Sequence, residues 1–392
     1  MRIGILSPSI YMYQKRYAHR IYAPGPLVID LVNSLVDRGN EVFFFTAEDV
    51  PTKATIIPGE TELLEKAYHL EPQQDLSADM NEVVSLYEAK KYYELGLTQK
   101  AFLFAKDKGL DIIHNFHAFS NFSHYFESES QTPTLYTLHW PAPAQNTFEY
   151  WRYKKFADRN FVAISEFQKK LYQEQIPGLA IPGVVYNGIQ KDIFPFENEA
   201  DAYFAFIGRL APEKGLDIAI DVVGKTGDTL KIATQITPVI EKSDYYITKI
   251  LPHLSDHHIS MAGYVEGENR SAFLGKAKAL MLPLQWDEPF GLVMTQSMAC
   301  GTPVIAYNRG SVSEIIKDGV TGFIIDPDDE ERPGKGSWIV KQKGIDGLRE
   351  AMSRIHEIDR KACREHAVTN FSVEKMAEGY ENIYKNLSSH AV

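Results

Sequence analysis

Apolar residues recur along this chain in two alternating rhythms. Short apolar runs of the kind that form buried strands are separated by segments where apolar positions return every third or fourth residue, as on one face of a helix. Arg2–Leu6 is the first run. Leu27, Val28, Leu31, Val32, Leu35 and Val36 form a helical stripe stopped by Gly39-Asn40, and Val42–Thr46 is the next run. The polar, aromatic loop Ser7–Pro24 between them is long for a βαβ unit, and long loops at that edge tend to carry function. Glu48–Gly96 is weakly patterned, with helices expected near Glu60–Leu70 and Ser77–Leu95, the second continuing toward Lys108. Strands follow at Asp111–Asn115, Thr134–Leu138, Asn160–Ile164 and Val184–Tyr186, with a helix over Thr147–Ala157 and Ser165 capping another.

Phe194-Pro195-Phe196-Glu197 and the acidic stretch to Asp201 read as a linker. A second alternating series then places strands near Tyr203–Ile207, Leu230–Ala233, Ile259–Met261, Ala279–Leu282, Val304–Ala306 and Gly322–Ile325. Strands alternating with helices at this spacing predict parallel, doubly wound sheets. Two such series predict two similar domains, over residues 1–195 and 196–371, with a last helix in 372–392. Asp326–Lys343, acidic and then rich in glycine and lysine, reads as a loop.

Glu288–Val304, EPFGLVMTQSMACGTPV, stands out in the second series. The strand Ala279–Leu282 precedes it, so Glu288 and Gly291 fall in a strand-to-helix loop at the carboxyl edge of a parallel sheet, where ligands bind in open α/β folds. A helix starting near Phe290 and closing at Gly301 points backbone N–H groups and a positive dipole end at that edge.

Composition narrows the class. Net charge is −11 over 392 residues, which excludes a general nucleic-acid binder. Two cysteines, Cys300 and Cys363, give neither metal spacing nor a disulfide framework, and Cys300 reads as packing. No apolar run reaches the roughly 18 residues of a membrane span, and MRIGILSPSI reads as a strand rather than a signal peptide. The expectation is a cytoplasmic protein with at most peripheral membrane contact.

A second constellation lies at Gly208-Arg209-Leu210 and Glu213-Lys214-Gly215. Two cations five residues apart on a turn can converge on one anion, the guanidinium as a fork and the ammonium as a point charge. Aimed at a leaving diphosphate, they would stabilise charge that grows as its bond breaks. Surface exposure is the ordinary fate of Arg and Lys taken singly.

Taken together, GRLAPEKG at 208–215, EPFGLV at 288–293, MACGTPVIA at 298–306 and GSVSEIIKDGVTGFII at 310–325 resemble the family 4 glycosyltransferases of glycosyl transferases group 1. These are retaining enzymes of the GT-B fold; VVYNGI at 184–189 fits more weakly. The resemblance covers roughly residues 180–330. It implies an α/β GT-B architecture, with two Rossmann-like domains facing across a cleft and a final helix crossing back onto the first. It further implies transfer of a hexosyl group from a nucleotide-sugar donor, a UDP-sugar first among the candidates, to a small-molecule or glycan acceptor, with no cofactor and no metal.

Carried over by position, Arg209 and Lys214 would hold the donor diphosphate, with Gly208 also in the donor site, and Glu288 would contact the sugar hydroxyls. The backbone at Phe290, Gly291 and Leu292 would contact sugar and phosphate, and Gly263-Tyr264-Val265 would bracket the base. His139 would lie near the transferred sugar, and Gly25 near the phosphates. The chain departs from the family pattern twice. Gln296 stands where the second acid of E-x7-E, the usual ribose ligand, would fall, and Gly25-Pro26 replaces a glycine pair.

Other readings compete. An epimerase on the same fold lacks reason for EPFGLV, and a phosphorylase lacks its pyridoxal-phosphate lysine site; a weakly active or inactive relative that binds nucleotide sugar or a partner is supported by Gln296. His114 and His117 form an H-x-x-H pair without a third ligand, better suited to structure or substrate contact than to metal. His257-His258 and the acidic run Asp326–Glu331 read as surface. Trp151, Arg152, Tyr153, Lys154, Lys155 and Arg159 mimic a basic-aromatic patch but read as a solvated helix face or an acceptor-side surface.

Overall fold

The computed structural model describes residues 1–17, 22–63, 65, 80–116, 122–328 and 337–389. The expected helix at Glu60–Leu70 beyond its first residues, the start of the one at Ser77, His117, and residues 329–336 of the late loop lie outside the described residues. The chain forms two compact units, Met1–Gly188 with Val373–Val392, and Ile189–Ser372.

The first unit is built on seven parallel strands: β1 (Arg2–Leu6), β2 (Glu41–Thr46), β3 (Thr55–Pro58), β4 (Ile112–Asn115), β5 (Thr134–Thr137), β6 (Asn160–Ala163) and β7 (Gly183–Val184). Their spatial order is β3-β2-β1-β4-β5-β6-β7. The stripe Leu27, Val28, Leu31, Val32 and Leu35 is buried on the helix Pro24–Asp37, as its spacing predicts. Strand β3 was not expected. It is a short edge strand of Thr-Ile-Ile-Pro with no alternation to read.

The helix Val373–Ser389 belongs to this unit and is tied to its sheet by a buried polar network. His114 Nδ1 lies 2.6 Å from the Tyr384 hydroxyl and Nε2 2.7 Å from Thr137 Oγ1, while Thr137 Oγ1 lies 3.0 Å from the Tyr380 hydroxyl. Both ring nitrogens of His114 are thereby engaged, so its role is to fasten the last helix to β4 and β5, not to ligate metal. Burial, with the neighbouring His139 adding to it, pushes its pKa down to about 3.

The second unit has six parallel strands: β8 (Tyr203–Ile207), β9 (Thr229–Ala233), β10 (Ile259–Gly263), β11 (Ala279–Leu282), β12 (Val304–Tyr307) and β13 (Gly322–Ile325). Their order is β10-β9-β8-β11-β12-β13. β11 and β12 are wholly buried, which is why they read as continuous apolar runs. The chain winds outward from β8 to β10, then returns to the other side of β8 at β11. The gap between the carboxyl ends of β8 and β11 is therefore a topological switch point. No helix among the described residues is long and apolar enough to cross a membrane.

Candidate active site

Loops from β8, β11 and β12 come together at that switch point. The loop after β8 turns through a short 3-10 helix, Pro212–Lys214, into the helix Leu216–Thr226. The turn is made at Gly215, where φ is +72° and an added Cβ would run into the Pro283 carbonyl of the loop after β11. A backbone bond from Gln285 N to Glu213 O, 2.9 Å, joins the same two loops.

The loop after β12 supports the Glu288 segment from below. Gly310 N donates to Asp287 Oδ1 at 3.0 Å, Ser311 N to Glu288 O at 2.9 Å, and Ser311 Oγ to Phe290 O at 2.9 Å. Gly310 has φ +63°, and a Cβ there would meet the backbone of Glu288. The fixed geometry of Glu288 thus depends on a glycine far along the chain.

These loops bring Lys214 and Glu288 together. Lys214 Nζ donates to Glu288 Oε2 at 2.7 Å, with the two side chains only 16% and 15% exposed. The ammonium also lies 4.4 Å from the centroid of the Trp286 ring. A cation and an acid this close and this sheltered interact more strongly than a surface pair. Arg209 behaves differently. Its side chain is 70% exposed and pairs with Glu213 at 3.0 Å, so the expected convergence of Arg209 with Lys214 is not the arrangement found. Glu213, inside the same motif, competes for the guanidinium.

The helix expected from near Phe290 spans Leu292–Ala299, with Gly291 as its N-cap at φ +80°. Phe290 is buried, and Gln296 is partly exposed one turn after Leu292. Gly208 follows β8 directly. At the end of the edge strand β10, Gly263 has φ +73° and Tyr264 is 44% exposed, two strands from β8 on the same carboxyl edge. Two polar atoms at this edge are buried without a hydrogen-bond partner among the described residues, Thr234 Oγ1 after β9 and Trp286 Nε1 after β11. Trp286, Gly215 and Gly310 were not singled out from sequence as site-shaping residues. Glycines in the resembling motifs carry the signal for the last two; nothing marks Trp286.

The candidates from the first half lie in the other unit. His139 follows β5, its ring 4.6 Å from that of Phe116. Gly25 is not in a loop. It sits buried in the first turn of the helix Pro24–Asp37, its N–H given to Tyr22 O at 2.9 Å, so this amide is committed within the fold.

The basic-aromatic helix, Phe148–Lys155, is a solvated face only in part, with Trp151 exposed. Arg152 and Tyr153 are buried, whereas Lys154 and Lys155 are exposed. Arg159 pairs with Glu127 at 2.9 Å. Among the described residues the group spaced to hold a metal is Asp256, His257 and His258, with ligand atoms within 4.8 Å of one another. It precedes β10 and so lies at the amino edge, opposite the Lys214–Glu288 pair. Cys300 and Cys363 are buried free thiols, each pushed up to about 12 by burial.

The family model for glycosyl transferases group 1 matches residues 189–336. An uncharacterized glycosyltransferase of Methanocaldococcus jannaschii is 28% identical over 294 residues, 72% of this chain and 77% of the relative. Among solved structures, the sucrose-phosphate synthase of Thermosynechococcus elongatus superimposes with a TM-score of 0.71 at 18% identity, covering 100% of both chains. HepE of Anabaena, solved in complex with UDP and glucose, superimposes with a TM-score of 0.66 at 16% identity, covering 99% of this chain and 100% of that one. At such identities the structural likeness speaks for the fold alone. The group 1 match thus lies within the second unit, and the two parallel Rossmann-like sheets follow the GT-B pattern of glycosyltransferases; together they support a glycosyltransferase.

Proposed function

We propose that the protein moves a hexosyl group from a nucleoside-diphosphate sugar to a small-molecule or glycan acceptor, with retention at the anomeric carbon and without a metal. A UDP-sugar is the first candidate donor. The second unit would be the donor domain and the first the acceptor domain. The observation that carries the reading is the Lys214–Glu288 pair at the switch point of the second sheet.

In a nucleotide sugar the anomeric carbon is bonded to a phosphate oxygen, so a cation for the phosphate and an acid for the sugar hydroxyls belong side by side. Lys214 and Glu288 stand in that relation. As the bond from the anomeric carbon to the phosphate oxygen breaks, charge accumulates on the diphosphate and the Lys214 ammonium stabilises it. Arg209 adds a second cation when it leaves Glu213 for the phosphates. The acceptor oxygen forms its new bond to the anomeric carbon on the face the diphosphate leaves, and passes its proton to the departing phosphate oxygen. Lys214, joined by Arg209 once it has left Glu213, takes the role a metal would have on the diphosphate.

The retaining course rests on the resemblance of the 208–215 and 288–306 segments to family 4. The UDP preference is in keeping with the UDP and glucose bound to HepE of the same fold. The buried free thiols accord with work in the cytoplasm.

The test is incubation of the purified protein with a panel of nucleotide sugars in EDTA, without acceptor. Slow release of one nucleoside diphosphate is the expected result. Silence across the panel, with no nucleoside diphosphate raising the melting temperature, would overturn the reading in favour of an inactive relative.

A further inference from the structure

In the first unit, one buried cation, Arg152, has no acid within ion-pair distance among the described residues, Glu149 acting on it only from farther off. Arg152 is 8% exposed, and its Nε is buried with no hydrogen-bond partner among the described residues. Two more-exposed arginines of this unit are paired, Arg159 with Glu127 at 2.9 Å and Arg38 with Glu381 at 2.8 Å. The Arg152 guanidinium instead lies over the Tyr153 ring, 4.8 Å from its centroid. Glu149, one turn earlier, is exposed. Burial pushes the guanidinium pKa below its ordinary value, the direction expected for a charge taken out of water without full compensation.

Arg152 lines a cavity of about 200 Å³ with Trp140, Pro141, Pro143, Tyr153 and Tyr172, and the exposed Glu149 stands at its rim. Its walls are held in place. Gln168 Nε2 donates to Trp140 O at 2.9 Å, and the Tyr172 hydroxyl reaches Trp140 O at 3.3 Å and Pro141 O at 3.2 Å. The cavity therefore opens on the loop after β5, at the carboxyl edge of the first sheet. The Trp140 side chain remains half exposed, at 52%. Pockets for drug-sized ligands run to roughly 300–1,000 Å³, so this one suits a single ring.

We propose that this cavity is an acceptor subsite for an acidic sugar, its carboxylate or phosphate on Arg152 and its ring against Trp140. The inference rests on the glycosyl-transfer reading and names the acceptor class. A guanidinium fork matches both anions, and the aromatic face suits a sugar ring.

Thermal shift on the full chain with glucose, glucuronate, glucose 6-phosphate and inorganic phosphate tests it. Glucuronate or glucose 6-phosphate should raise the melting temperature where glucose does not; which of the two acts better identifies the anion. Arg152→Gln should weaken the acid by about tenfold or more. Arg152→Lys, which keeps the charge and loses the fork, serves the same end where the glutamine variant does not fold. Trp140→Ala should weaken the acidic sugars and leave inorganic phosphate unchanged. Equal response to glucose and the acids, or acid affinity unaltered in the variants, would overturn the proposal. Nucleoside diphosphates run on the same protein separate the readings: a nucleotide shift without an acid shift sinks this inference alone.

Discussion

The Lys214 ammonium and the Glu288 carboxylate, 74 residues apart in sequence, meet at 2.7 Å over the Trp286 ring. Neither residue reaches this position through its own element. Lys214 is delivered by a turn that only Gly215 can make, and Glu288 by a loop that rests on Gly310 and Ser311. The pair is thus a product of sheet topology: two loops leave adjacent strands, β8 and β11, at the point where strand order reverses.

Glu288→Gln keeps the shape and removes the charge. If the carboxylate holds donor hydroxyls, kcat/KM for the donor should fall by about a hundredfold, in the range seen when one preorganised polar contact is lost. Steady-state kinetics with the donor found by the panel checks this.

Gly310→Ala forces a side chain into the Glu288 backbone at a φ of +63°. The backbone strain alone costs on the order of 1–3 kcal/mol. The melting temperature should drop, and donor binding should weaken beyond what the stability loss explains, because Glu288 moves. Gly224→Ala, at a helical glycine with open space around it, is the control and should leave donor binding unchanged while raising the melting temperature slightly.

Much of the second unit was legible because its strands are buried on both faces and read as unbroken apolar runs, as at β11 and β12. The same pattern marked the loop edge, and so Lys214 and Glu288 individually. Their pairing was not legible, since it depends on which strands are neighbours. Arg209 was expected beside Lys214; a local acid, Glu213, holds it away. The burial of Arg152 was hidden for a related reason. Its helix is locally rich in charge, and its cover comes from the Trp140–Pro143 loop and Tyr172, elements distant in sequence. β3 was missed because Thr55–Pro58 is too short to show a period.

The His114 network carries a pH prediction. The folded pKa is about 3 against an ordinary 6.5, so the folded state favours the neutral ring. This contribution to stability is complete above the unfolded pKa and is lost as pH falls toward the folded one. Melting temperature should decline steadily from pH 6.5 toward pH 4. In His114→Gln the decline over that window should be shallower, from a lower starting value at pH 7. Parallel profiles for the two proteins would contradict this account of His114.

Gln296→Glu places an acid where the ribose is expected. A charged acceptor bonds a hydroxyl about twice as strongly as a neutral amide, so KM for the donor should fall by about three- to tenfold with kcat little changed. A rise in KM would mean that the donor ribose does not lie at Gln296.

The central claim is that Lys214 stabilises a departing diphosphate. The most direct measurement is the rate of nucleoside diphosphate release in EDTA by the wild-type protein and by Lys214→Ala, with melting temperatures taken alongside. A fall in kcat of about 10²–10³-fold in a variant that melts close to the wild type is the predicted result. An unchanged kcat in the folded variant would contradict it and remove Lys214 from the chemistry.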